Sequence, residues 1–266
     1  MARALSPERP LSVVVLGNSV AVLSIPARTG SGDGPYAEVL RDRLAGAGVP
    51  VRVANEGRWF DFAVKGFRRY EQSVRAHLPD VLILQYGLNE MQPWLMPVPV
   101  LRHLVTEHQV ATRTGRWYRA KVAAPAWKGV RSYRRWAAPH VGQRTWQTTP
   151  ARFGEVMRQI IRAARYDSRP LVLVLDVNPP GPVIRHFLPG IEERHVVIQR
   201  TLATTVASFA DPEVRLVGVA QACAAAGPET SYDGMHLSPE GHRVVGELLA
   251  QEILGWLGRP EAPLSL

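Results

Sequence analysis

The sequence predicts an α/β fold in which a doubly wound, mostly parallel sheet carries helices on both faces. Three observations predict it. Five short runs rich in Val, Ile and Leu (12–17, 50–54, 80–86, 171–176 and 214–219) mostly lack polar alternation, as strands covered on both faces do. Longer amphipathic stretches separate them, so β and α alternate along the chain. The 266 residues, 46% hydrophobic and 21% charged, suit one domain with a sizeable core.

Each element has its own signal. The first run, Ser12 to Gly17, is too short for a signal-peptide core or a membrane span and reads as a strand. The cytoplasm is therefore the expected address. The stretch 35–47 puts Tyr36, Val39, Leu40 and Leu44 on one helical face, with Gly48 as its stop. The stretches 61–77, 151–166 and 191–209 follow the same logic. In the last helix Ser238 stands at the N-cap, Pro239 in the first turn and Glu240 at the positive end. Val244, Val245, Leu248, Leu249 and Ile253 form its apolar stripe. A single domain over 11–258 is expected, with tails at 1–10 and 259–266.

One segment breaks the alternation. Residues 91–150 are far longer than the roughly 2–6 residues that usually join such elements. They contain Trp94, Trp117, Trp127, Trp136 and Trp146, with Tyr118 and Tyr133. Within 101–146 ten Lys and Arg face one acid, Glu107, while the rest of the chain holds 22 basic and 22 acidic residues. The whole net charge of +9 thus sits in this segment. It reads as a helical lid inserted between the third and fourth strands. Such a lid can be a cap with its own small aromatic core, or it can shape the pocket and attract an anionic ligand. The same mix of charges and aromatics suits contact of 101–146 with an anionic membrane surface. No nucleic-acid-binding motif accompanies it.

In open α/β sheets ligands bind beyond the carboxyl ends of the strands. The first strand ends in Gly17-Asn18-Ser19, and Asn55-Glu56-Gly57 follows the second. Gly87-Leu88-Asn89-Glu90 follows the third, and Asp233-Gly234-Met235-His236 precedes the last helix. Serine needs a base within hydrogen-bond reach, a part His236 can fill, and Asp233 can hold its imidazole in register. The N–H groups of Ser19 and Gly57 and the Asn89 amide can receive a developing oxyanion. Asn18, Arg58 and Glu90 lie beside these groups and are candidate substrate contacts. Asn178, Arg185 and His186, in and after the loop that follows the fourth strand, are candidate substrate contacts.

These four blocks resemble the SGNH/GDSL hydrolase superfamily, named for its Ser, Gly, Asn and His. The likeness runs from Gly17 to His236 and is most specific at Asp233-Gly234-Met235-His236. It implies a flavodoxin-like three-layer α/β/α fold with a five-stranded parallel sheet, and an esterase or acyltransferase acting on lipids, sugars or small acylated metabolites. Two positions depart from the family's pattern: Asn18 stands where the first block usually has Asp, and Glu90 where the third usually has Asp. The alternatives are an acyltransferase using the same serine, and a non-hydrolytic binder of a phosphate- or sulfate-bearing ligand. No cofactor is implied. No histidine pair has metal-ligand spacing with supporting acids, so no metal is expected. The lone cysteine, Cys223, reads as a small buried hydrophobe and excludes an intrachain disulfide.

Overall fold

In the computed structural model, which describes residues 6–22, 35–93, 99–100, 103, 112–141, 146–231 and 235–258, Ser6 and Arg9 pair across a tight turn before the first strand. Strand β1 (Leu11–Gly17) is followed by α1 (Ser19–Val22), α2 (Tyr36–Gly46) and β2 (Val51–Asn55). Then come α3 (Ala63–Arg68), α4 (Tyr70–Ser73), a 3-10 turn (Arg75–His77), β3 (Val81–Gln85) and α5 (Leu88–Met91). Between β3 and β4 lie α6 (Arg113–Tyr118), one π-helical turn (Arg119–Ala123), α7 (Ala124–Val141) and α8 (Pro150–Asp167). The chain continues through β4 (Leu171–Leu175), α9 (Pro182–Phe187), α10 (Ile191–Ala207), β5 (Val214–Val217), α11 (Val219–Ala226) and α12 (Pro239–Trp256).

The five strands are all parallel, in the order β2-β1-β3-β4-β5. Every residue of β3 and β4 is buried, which is why these strands read as unbroken apolar runs. The edge strands β2 and β5 are only partly covered. Right-handed crossovers send the chain one way from β1 to β2 and the other way from β2 onward, so helices fall on opposite faces. The packing agrees: α12 lies on α2 and α11, whereas α8 lies on α3 and α10. The strand order reverses between β1 and β3, and the carboxyl ends of these two strands border a crevice.

The amphipathic pattern over 61–77 predicts one helix, and the structure has three short pieces instead. At the first break Arg69 leaves helical geometry (φ −104°, ψ 10°). Its guanidinium turns back onto the Asp61 carboxylate at 2.7 Å, with both side chains buried. A buried pair of this kind outweighs the few tenths of a kcal/mol that helix propensity adds per residue. The expected strand 80–86 is trimmed at both ends: the Asp80 carboxylate accepts the Ser12 N–H at 3.0 Å, and Tyr86 turns into the Asp61 network. The run 214–219 ends at Val217, and Val219 begins α11.

The contrast between inner and edge strands is testable. Leu84 of β3 is fully buried, so Leu84→Ala is expected to cost roughly 2–5 kcal/mol by urea denaturation. Leu216 of β5 is 39% exposed, and Leu216→Ala is expected to cost less than about 1 kcal/mol.

Candidate active site

Ser19 opens α1 directly beyond β1. The turn is set by Asn18, which is fully buried: its N–H donates to Gln85 O (3.2 Å) and its Oδ1 accepts the Val20 N–H (3.0 Å). Asn18 O accepts from Ala21 at 3.1 Å. The amide thus does the holding of the turn that a carboxylate would do, but its Nδ2 is buried without a hydrogen-bond acceptor among the described residues. Among the described residues nothing accepts from the Ser19 N–H, as expected for the first donor of a helical turn.

Ser19 Oγ lies 3.3 Å from His236 Nε2. His236 sits just before α12, where Ser231 Oγ donates to its carbonyl at 3.0 Å and Ser231 bridges Leu237. The N-cap of α12 follows, with Ser238 Oγ accepting the Gly241 N–H. A hydroxyl at this distance from an imidazole is within the looser range seen before a substrate draws nucleophile and base together. Asp233 lies outside the described residues.

Asn89 stands in α5 beyond β3, and its amide donates to Asp61 O at 2.7 Å. That carbonyl is itself fixed, because the Asp61 carboxylate accepts from Arg69 and from the Tyr86 hydroxyl (3.0 Å). Glu90 locks the other side. One carboxylate oxygen accepts the Ala63 N–H (2.7 Å) and the other the Gly87 N–H (2.8 Å), tying the β3–α5 turn to the start of α3. Gly87 needs its glycine: it has φ 116°, and a Cβ there would stand 2.6 Å from Val177. Burial pushes the Glu90 carboxyl up to about 7, Asp61 adding to the rise, against the pull of the backbone N–H groups of Ala63, Gly87 and Glu90 itself.

Gly57 packs under α1, where a Cβ would meet Ala21 and Val22 below 3 Å. Its N–H donates to Asn55 Oδ1 at 3.0 Å.

Ser19, Asn89 and His236 share the wall of a cavity of about 300 Å³. Most of the rest of the wall comes from residues the sequence did not single out. Trp59 and Phe60 come from the turn after β2, and Gln92 from the end of α5. Val183, Ile184, Phe187 and Leu188 come from α9 and its end, and Met235 precedes His236. Phe60 holds a left-handed conformation (φ 53°), a strained state for a side chain of this size. The α7 helix contributes Trp127, Arg131 and Arg134, spaced four and three residues apart on one helical face. That face is seated by a small satellite core in which Trp127 and Val130 pack with Phe60 and Phe62. The other tryptophans of the segment differ: Trp117 and Trp136 are exposed, Trp146 lies under the Arg194 guanidinium at 3.7 Å, and Trp94 is outside the described residues. Knowing that 124–141 is a single helix would have exposed the 127/131/134 face, but Pro125, Gly129 and Pro139 obscure the periodicity.

Four expected contacts are placed elsewhere. Arg58 is exposed, with its N–H on Gly17 O. Arg185 pairs with Glu192 at 2.9 Å, and His186 faces Arg135 at 3.2 Å. Asn178 lines a second, much smaller cavity of about 20 Å³ together with Tyr36 and Gln85. The Asn178 Oδ1, Gln85 Oε1 and Tyr36 hydroxyl are all buried without a partner among the described residues, and together they suit one water molecule. Cys223 is buried, and burial raises its thiol above the usual range. Among the described residues no group of three or more His, Cys, Asp or Glu is placed to hold a metal ion, and no helix is long and apolar enough to cross a membrane.

Solved structures align with this frame over nearly its full length. A lipase/acylhydrolase from Enterococcus faecalis matches with a TM-score of 0.62 at 17% identity, covering 95% of this chain and all of that one (100%). The chain shares its fold with the SGNH/GDSL hydrolases. A putative GDSL-like lipase from Parabacteroides merdae matches with a TM-score of 0.59 at 14% identity, covering 92% of this chain and 95% of that one. A carbohydrate acetylesterase from Sinorhizobium meliloti matches with a TM-score of 0.58 at 14% identity, covering 92% and 99%. No protein-family model matches the sequence, and no curated protein matches it.

Glu90 gives this SGNH/GDSL-like fold a pH signature. With its proton held more tightly in the folded state, its contribution is fully present below pH 4.5 and is lost as pH rises through about 7. The expected loss across that window is at most roughly 3 kcal/mol. Denaturant midpoints measured from pH 4.5 to 8 should fall more steeply for the wild type than for Glu90→Gln, whatever the variant's absolute stability.

Proposed function

We propose that the chain is a serine hydrolase cleaving an acyl or acetyl ester of a small metabolite, sugar or lipid. The observation that carries this reading is the 3.3 Å approach of Ser19 Oγ to His236 Nε2 in the wall of a largely apolar cavity. Ser19 Oγ attacks the acyl carbonyl carbon as its proton passes to His236 Nε2. The carbonyl oxygen, now an alkoxide, is received by the Ser19 N–H and the Asn89 amide, with the Gly57 N–H joining once it turns from Asn55. His236 then protonates the leaving alcohol. Water attacks the acyl-serine with His236 again as base, and the acid departs. Asp233, three residues before His236, is assigned the role of orienting the imidazole.

Hydrolysis of short 4-nitrophenyl esters tests the reading. Ser19→Ala and His236→Ala should each lower kcat by roughly 10³-fold or more. Asn89→Ala should lower it by about 10²–10³-fold with a smaller change in KM. Equal rates for wild type and Ser19→Ala would sink the proposal.

A second outcome, transfer to an alcohol, is favoured by the aromatic wall of Trp59, Phe60, Trp127 and Phe187, since a site that excludes water leaves the acyl-serine to other acceptors. Product analysis with rising concentrations of an acceptor alcohol separates the two. Free acid as the sole product at every concentration counts against transfer.

A further inference from the structure

The cavity beside Ser19 has an unequal distribution of charge. Two arginines of α7, Arg131 and Arg134, line it, and among the described residues no Asp or Glu does. Their surroundings differ. The Arg131 guanidinium lies over the Phe187 ring at 4.4 Å and near Trp127 at 5.9 Å, a cation–π setting that leaves it partly exposed. Arg134 is only 7% exposed. Among the described residues its guanidinium makes one hydrogen bond, a long one of 3.4 Å from Nη2 to the Pro93 carbonyl, and its Nε is buried with no acceptor.

A guanidinium in such a place is expensive. Buried arginines elsewhere in the chain are compensated: Arg69 has Asp61 at 2.7 Å, and Arg194 donates to the Met91 carbonyl at 2.7 Å and stacks on Trp146. Arg134 has no carboxylate partner among the described residues, and burial together with the neighbouring Arg131 lowers its affinity for the proton to about 10. It stays charged at neutral pH. A buried cation without an anion is the arrangement that a bound anion stabilises most, because the ligand supplies both the missing charge and the missing acceptors.

We infer that Arg134, with Arg131 beside it, forms an anion subsite of the same cavity, so that the preferred substrate is an ester with an apolar body and an anionic terminus, either a carboxylate or a phosphate monoester. The inference rests on the serine-hydrolase reading for what happens at Ser19, but not for binding of the anion. The apolar walls supplied by Trp59, Phe60, Trp127 and Phe187 would hold the chain between the two ends. The planar fork of Arg134 suits both oxyanions, and Arg131 adds charge from a position that can adjust.

Two matched esters test it: 4-nitrophenyl pentanoate, and mono-4-nitrophenyl glutarate, in which a carboxylate replaces the terminal methyl. Wild type is expected to favour the glutarate ester in kcat/KM by about tenfold or more. Arg134→Met should bring that ratio to about one or below, and Arg134→Lys should restore part of it. The ratio compares two substrates on one preparation, so a partly unfolded variant does not distort it. Calorimetry with hexanoate, hexyl phosphate and hexanol separates the two anion types without any turnover. The anion that binds Arg134→Met at least tenfold more weakly than wild type, while hexanol does not change, is the one the subsite takes. Hydrolysis of both esters at equal kcat/KM, with no anion binding better than hexanol, overturns the anion subsite and leaves the hydrolase reading intact. Anion binding that depends on Arg134, with neither ester hydrolysed, does the reverse.

Discussion

The pairing of β1 with β3 is the constraint on which the rest depends. Val13 to Gly17 run in register with Val81 to Gln85, and the chain leaves these two strands for β2 on one side and β4 on the other. Backbone groups inside a buried parallel ladder have nowhere else to find partners, so a shift of register would leave a row of them unpaired and turn the apolar side chains out of place. The register therefore also fixes how far Ser19, two residues past Gly17, stands from Asn89, four residues past Gln85. The spacing of Ser19 and Asn89 is a consequence of strand pairing made far inside the core.

Side-chain carboxylates finish what the ladder begins. Glu90 holds two backbone donors on neighbouring loops, and Asp61 gathers Arg69 and Tyr86 while its carbonyl orients Asn89. Each group is positioned by a partner whose own geometry is fixed by another. Precision at Asn89 follows from that chain of hydrogen bonds, since α5 itself spans only Leu88–Met91. The costs are visible too: a carboxyl buried to the point of holding its proton near neutrality, and a tyrosine raised well above its usual range.

Much of this was legible in the sequence. The apolar runs located all five strands to within about two residues, because strands buried on both faces have almost no freedom to be polar. Ser19, Asn89 and His236 could be named because each follows a strand or precedes a helix with clear punctuation. The Asp61–Arg69 pair was not legible, since the amphipathic pattern around it fits a continuous helix and nothing in one dimension shows that Arg69 turns back. The wall from α7 was hidden for another reason. Its prolines and glycine blur the helical period, and its excess charge looks the same in sequence whether the arginines face water or a cavity. Arg185 was selected for lying near the right loop, but its charge is satisfied by Glu192 on the surface.

The placement of Trp127, Arg131 and Arg134 on one helix has a consequence for how this scaffold can change. The groups assigned to bond-making follow β1 and β3 and precede α12, whereas Trp127, Arg131 and Arg134 of the cavity wall come from a segment inserted between β3 and β4 that contributes no strand among the described residues. On the proposed reading, part of ligand selection thus resides in a stretch of chain apart from the reacting groups. Exchanging the inserted helix would re-tailor which molecules enter while the sheet-borne apparatus stayed as it is, making the segment a natural unit for divergence and a compact target for directed evolution.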